Sequence, residues 1–273
     1  MIADLVRWIA HDLVELKQLI GAGVDPHLYK PIRDDVVDVL RADLVFFNGL
    51  LLEGRMSELL SEAASSTRNA VPLASAIPAD RYLGEPGTDA KDPHVWMDVS
   101  MWSAASRSVE EELTKLLSDK NEIVRRRGKD LRSELEKLDQ RGLQAIRSIP
   151  PRQRVLITSH DAFQYFGRRY GLEVQGIQGI STTSEAGLHR IPELIDLIQT
   201  RSVPAVFCES SVAGKLIDAL IEGAQARGYP LRLGENLYSD ALGPSGSGAD
   251  SYIGMMESNF RAIAIALGGS WES

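Results

Sequence analysis

Cysteine is nearly absent from this sequence: of 273 residues only Cys208 is one, which rules out a disulfide within the chain and a thiolate zinc cluster. Nowhere do 18 apolar residues follow one another without a charge, so no stretch reads as a helical membrane span. Basic side chains are the scarcer charge, 30 Lys plus Arg against 38 Asp plus Glu, and the net charge is −8. That balance excludes a general nucleic-acid binder or a polybasic membrane-surface protein, since both need a cationic face. The familiar catalytic signatures are missing as well: there is no GxSxG, no HExxH, and no GxGxxG after a strand. Gly243 and Gly248 have the spacing of a phosphate loop, but Ala249 and Asp250 stand where Lys and Ser/Thr are required. Gly243 to Asp250 therefore reads as a mobile surface loop, and Cys208, between Phe207 and Glu209, as a small core thiol.

What is present is the composition of a globular protein, 44% apolar and 25% charged, long enough for a large core without staples. Short apolar runs alternate with amphipathic patterns. Strands are expected within Ala42–Gly49, Arg154–Ser159, Leu172–Ile177 and Val203–Cys208, and helices over Asp34–Arg41, Arg55–Ala64, Glu185–Thr200, Lys215–Arg227 and Tyr252–Leu267. Such alternation is the mark of an α/β protein with mostly parallel sheets and flanking helices. The opening residues, with Asp4 and Arg7 among apolar ones, read as an amphipathic helix rather than a secretory signal. From Lys120 to Ser148 strand signals vanish. Ile123, Val124, Leu131, Leu135, Leu138 and Ile146 form a helical stripe, ended by Pro150-Pro151. A rod this long suggests a connector between two lobes, giving an N-terminal lobe over 1–118, a connecting helix over 119–149 and a C-terminal lobe over 150–273. One further helix of a single layered domain is the competing reading.

Histidine carries the functional signal. Asp25-Pro26-His27-Leu28-Tyr29 and Asp92-Pro93-His94-Val95-Trp96 repeat one pattern in a chain with only five histidines. In each, Asp-Pro fixes an extended or turn conformation before the imidazole. His160 lies where a strand ends and a helix is expected to begin, the end of a parallel strand at which ligands sit. Asp240 ends another apolar segment. Three imidazoles and one carboxylate suit a borderline divalent transition ion. Their spacings of 67, 66 and 80 residues require separate loops to converge. The alternative is that His27 and His94 are turn residues and His160 a neighbour of a helix cap. His11 and His189 fall in helical stretches with no partner pattern.

These motifs, with Ser159-His160-Asp161-Ala162-Phe163-Gln164, Tyr238-Ser239-Asp240-Ala241-Leu242 and Ser251-Tyr252-Ile253-Gly254, resemble one family over nearly the whole chain. It is the zinc- and manganese-binding solute receptors of ABC transporters, with TroA-like, ZnuA-like and pneumococcal-adhesin-like members. The resemblance implies two α/β lobes joined by a long helix, with His27 and His94 from one lobe and His160 and Asp240 from the other as metal ligands. It also implies a non-enzymatic monomer outside the cytoplasmic membrane, periplasmic or anchored, that delivers its ion to a permease partner. His160 at the position where some manganese receptors carry Glu puts zinc ahead of manganese. Against zinc, Pro72 to Lys91 lacks the histidine-rich loop of many zinc receptors. Binding is expected to weaken as pH falls through the histidine range. Tyr29 and Trp96 are expected to help exclude water. Family members place a first strand before the helix that matches Ile2 to Leu13, so the first strand of the N-terminal lobe is expected to be missing. Two other readings remain at this point: a metallohydrolase with Asp161 or Glu209 as general base, and a surface adhesin.

Overall fold

The computed structural model describes all residues except 67–68, 85–88, 183–186, 213 and 273. It divides into two compact units, Met1–Lys137 and Leu138–Ser273.

The first unit begins with α1 (Ile2–Ala10), whose Leu5, Val6, Ile9 and Ala10 are buried on one face. Next come α2 (Arg33–Arg41), β1 (Val45–Phe47), α3 (Ser57–Ser66) and β2 (Ala70–Pro72). Asp35 organises the entry to α2: its carboxylate accepts the Ile32 N–H at 2.8 Å and the Tyr29 hydroxyl at 2.8 Å. That satisfies one of the backbone donors a helix start leaves orphaned. β1 and β2 pair in parallel, Val45 opposite Ala70 and Phe47 opposite Pro72. Val39, Phe47, Met56, Leu60, Ala63 and Ala70 close a core over this βαβ turn.

An 18-residue helix, α4 (Val99–Leu116), was not expected from the periodicity. Its start is marked after the fact by Asp98, which accepts the Ser100 and Met101 N–H groups as an N-cap. Its apolar positions Met101, Trp102, Ala105, Val109 and Leu113 follow helical spacing and are buried.

The long helix α5 spans Asn121–Ser148, 28 residues, within one residue of the expected start. At 1.5 Å per residue it is about 42 Å long. Val124, Leu131, Leu135, Leu138 and Ile146 are buried as the stripe implied, while Ile123 is only half-buried. The division between the two units falls inside this helix, between Lys137 and Leu138. Its early part is tied to the first unit by Arg127, which pairs with Asp12, and by Arg132, which pairs with Glu110. Its late part belongs to the second unit: Asp139 takes Arg169 and the Tyr170 hydroxyl, and Gly142 lies against the Phe260 ring, where a Cβ has no room.

The second unit continues with β3 (Val155–Thr158), α6 (Gln164–Tyr170), β4 (Glu173–Gly176), α7 (Ile191–Arg201), β5 (Ala205–Val206), α8 (Lys215–Ala226), β6 (Arg232–Leu233) and α9 (Tyr252–Ala266). β3 pairs with β4 and β5 with β6, all parallel. A bridge from Thr158 to Phe207, with Phe207 N–H donating to Ile157, joins the pairs, so the strands run in the order β4, β3, β5, β6. β3 is buried at every position, as expected of a central strand covered on both faces. The expected start of a helix at Glu185 lies outside the described residues; the described helix begins at Ile191. Gly243 to Asp250 is a hydrogen-bonded loop: Gly243 N–H donates to Ala249 and Gly246 N–H to the Asp250 carboxylate. No described helix is long and apolar enough to cross a membrane.

Candidate metal centre

In the first unit the two Asp-Pro-His motifs form the same turn. His27 N–H donates to Asp25 Oδ1 at 2.8 Å, and His94 N–H to Asp92 Oδ1 at 2.9 Å. This Asx turn is set by the side chain two residues back, so the motif carries its own conformation. In the second motif Asp92 does more: its Oδ1 also reaches His94 Nδ1 at 2.7 Å. His94 is fully buried, with the buried Trp96 edge-on to it at 5.2 Å between centroids; His27 is half-buried. Trp96 thus walls off the imidazole as expected, whereas the Tyr29 hydroxyl is turned to Asp35 and braces the turn into α2.

The two rings of this unit bring Nε2 to Nε2 at 3.3 Å. The loop after β1 holds both histidine segments. Asn48 donates its side-chain amide to the Pro93 carbonyl at 3.0 Å, one residue before His94. Gly54 lies so close to His27 that a Cβ would stand 2.7 Å from its carbonyl oxygen. The buried carboxylate of Glu53 folds this loop, accepting Asn48 N–H at 2.5 Å and Gly49 N–H at 3.3 Å. Burial pushes the Glu53 pKa up to about 7, against the opposing effect of those hydrogen bonds.

In the second unit His160 and Asp240 lie beyond the C-terminal ends of parallel strands, β3 and β6, with β5 between them. His160 follows β3 by two residues, and Asp240 follows Leu237, which bridges to Glu209 beyond β5. That is the end of an open α/β sheet at which ligands bind. His160 Nε2 stands 3.3 Å from Asp240 Oδ2, both groups buried. Glu209 reaches the other side of the ring: Oε1 accepts His160 N–H at 3.0 Å, and Oε2 makes a short contact with Nδ1. Burial opposes a charge on this ring, but the Glu209 and Asp240 carboxylates outweigh it and raise the His160 pKa well above the usual histidine range.

In the metallohydrolase reading Glu209 is a candidate general base. Its carboxylate is instead committed to the back of the His160 ring. Asp161 accepts from Gln164 Nε2 at 2.8 Å at the start of α6. His11 and His189 are exposed, and Cys208 is a buried thiol whose pKa burial pushes up. Asp92 was visible in the motif, but its ring contact was not, because nothing in the spacing says which way a turn aspartate points.

A tetrahedral ion with ligands at 2.0–2.1 Å has its donor atoms about 3.3–3.4 Å apart. Each unit therefore contains a donor pair with the separation of one tetrahedral edge, His27 with His94 and His160 with Asp240.

Two parallel-strand units, each holding such a donor pair, fit a metal-binding solute receptor, and comparison with known proteins gives that class. The family described as zinc-uptake complex component A, periplasmic, matches residues 1–266, and the chain belongs to that family of solute-binding proteins. The chain is 43% identical to the zinc-binding protein TroA of Treponema pallidum, over 98% of this chain and 86% of that one. It is 39% identical to the manganese-binding lipoprotein MntA of Bacillus subtilis, over 97% of this chain and 87% of that one. The solved structure of the periplasmic zinc-binding protein TroA superimposes with a TM-score of 0.93 at 43% identity, covering 98% of this chain and 96% of that one.

Proposed function

We propose that this protein captures one divalent transition ion and hands it to an ABC permease. His27 and His94 supply one half of the ligand set, and His160 and Asp240 the other. The chain divides functionally into an N-terminal lobe over 1–118, the connecting helix 119–149 and a C-terminal lobe over 150–273, with the ion held where the two ligand pairs come together. It acts as a monomer outside the cytoplasmic membrane, and it is not an enzyme.

The observation that carries this reading is the donor spacing, 3.3 Å within each pair. Two imidazole nitrogens at that distance share either a proton or a cation, and a buried carboxylate beside a buried imidazole asks for the same. An ion with four protein ligands has no open position for an activated water, which favours capture over hydrolysis. Glu209 and Asp161, the nearest candidate bases, are engaged with His160 and Gln164. Three imidazoles and one carboxylate favour zinc, which accepts nitrogen donors more readily than manganese does. The relatives divide on this point, with TroA named for zinc and MntA for manganese.

Equilibrium dialysis with elemental analysis tests the reading. One tightly held ion per chain in the wild type, absent from His94→Ala, is the expected outcome. Unchanged stoichiometry in His94→Ala sinks the ligand assignment. Competition titration is expected to rank zinc above manganese, and turnover of a hydrolysable substrate by the loaded protein would reinstate the enzyme.

A further inference from the structure

We propose that Glu209 is a positioning residue for metal capture: acting through His160, it keeps the ring hydrogen on Nδ1 and so commits Nε2 to the ion. The inference rests on His160 being a ligand, as proposed above.

The geometry is a two-point grip on one residue. Glu209 is buried beyond the end of β5, and its two oxygens divide their work. Oε1 accepts the backbone N–H of His160 at 3.0 Å, and Oε2 meets the ring at Nδ1. Backbone and side chain of the same residue are thus fixed together, which removes the ring's freedom to turn over. A carboxylate only accepts hydrogen bonds, so the ring atom it faces must carry hydrogen. Nε2, on the far side and 3.3 Å from Asp240, is then the nitrogen that takes the cation, giving up any proton it carries as the ion enters. A carboxylate behind a metal-bound imidazole also makes the ring a stronger donor, an effect worth roughly 10–100-fold in metal affinity where it has been removed. In the first unit Asp92 holds the corresponding place behind His94. Asp92 is two residues from its histidine, whereas Glu209 is 49 residues away and arrives only through the strand order.

Glutamine at this position shows why the charge matters beyond its shape. To keep the acceptor for His160 N–H, the amide oxygen must take the place of Oε1, which turns the NH2 group toward Nδ1. An NH2 donor there demands a bare Nδ1 and moves the ring hydrogen to Nε2, the atom the ion needs. Flipped the other way, the amide loses the backbone bond.

Zinc affinities of the wild type, Glu209→Gln and Glu209→Asp, measured by competition with a chromophoric chelator, test this, with melting of each metal-free protein recorded alongside. Glu209→Gln is expected to weaken zinc by about 10–100-fold. Glu209→Asp, which keeps the charge on a shorter arm, is expected to lose less. A Glu209→Gln protein that binds zinc as tightly as the wild type overturns the proposal, and so does a larger loss in Glu209→Asp than in Glu209→Gln. A second measurement needs no variant: nitrogen-15 spectra of the zinc-loaded wild type are expected to show His160 bound through Nε2 with hydrogen on Nδ1, and the reverse pattern overturns the proposal. A wild type that binds no zinc brings down the functional reading itself, whereas tight wild-type binding with an indifferent Glu209→Gln brings down this inference alone.

Discussion

The two halves of the proposed ligand set are built by different means. In the first unit each histidine is held by an aspartate two residues earlier in the same turn, Asp25 for His27 and Asp92 for His94. In the second unit Thr158 donates to the His160 carbonyl at 2.8 Å, but the carboxylate that grips the ring comes from far along the chain. His160 is held by Glu209, 49 residues away, and Asp240 comes from a third segment beyond Leu237. A motif-borne half depends on its loop; a sheet-borne half depends on the order and register of parallel strands. The charges differ too, because the second unit packs two carboxylates around a single imidazole.

That contrast can be broken most severely at the imidazoles. His160→Ala leaves the buried carboxylates of Glu209 and Asp240 without the group that separates them, and an uncompensated buried charge costs about 3–5 kcal/mol. His94→Ala uncovers only Asp92, which keeps the His94 N–H as a donor. Both variants are expected to lose zinc by more than the roughly 100-fold that an outer partner carries. Only His160→Ala is expected to lower the melting temperature of the metal-free protein strongly, and equal losses in calorimetry would erase the distinction between the two units.

Glycines beside the candidate ligands give the next largest effect. Gly54 has φ +48°, and a Cβ there would stand 2.7 Å from the His27 carbonyl oxygen; at Gly176 it would stand 2.6 Å from the Asp161 amide nitrogen. In both places the obstacle is backbone, which cannot swing aside, and Gly54→Ala adds conformational strain of about 1–3 kcal/mol. Each alanine variant is expected to lower chemical-denaturation midpoints and weaken zinc binding, Gly54→Ala by moving His27 and Gly176→Ala by moving His160. Binding unaffected by either would separate these loops from the site.

Acid–base behaviour sharpens the comparison on the side of the first unit. Glu53 has its pKa raised from 4.5 to about 7, so the folded chain holds this proton across a range where the unfolded chain has released it. Stability from this group is therefore fully present below pH 4.5 and declines as pH rises through 7, by on the order of 3 kcal/mol at most. Urea unfolding of wild type and Glu53→Gln over that range is expected to show a downward slope in the wild type that is flatter in the variant. Parallel slopes would remove Glu53 as its source.

The smallest effect is expected at the Asp12–Arg127 pair. Arg127 holds the Asp12 pKa down at about 2, so whatever the pair contributes is present above pH 3.8 and lost as pH falls through 2. Both partners reach solvent, where ion pairs contribute little. Asp12→Asn is expected to leave the melting temperature at pH 7 within about a degree or two, and a larger drop would assign the contact between α5 and the turn after α1 a weight that exposed charges do not carry.

Legibility followed the same division. The Asp-Pro-His repeats could be read because their conformation is local, and the α5 stripe because 28 residues of helical spacing leave little ambiguity. β2 and β6 could not be read: they are 3 and 2 residues long, and β6 is exposed. α4 hid behind a motif of greater interest, although Asp98 announces its start. Glu209 reads from its charge as a candidate base, and its place behind the ring is not legible, since chemistry alone does not say which side of an imidazole a carboxylate will approach.

The sequence by itself determined the candidate donor types, the turns that present His27 and His94, and the long helix, because turn chemistry and periodicity act over a few residues. The tertiary structure alone decided that Glu209 stands behind His160, that Asp240 lies beside its Nε2, and that Glu53 folds the loop against both histidine segments. Those placements depend on which strands pair and in what register. Strand pairing is a property of the packed sheet, which no local stretch of chain encodes.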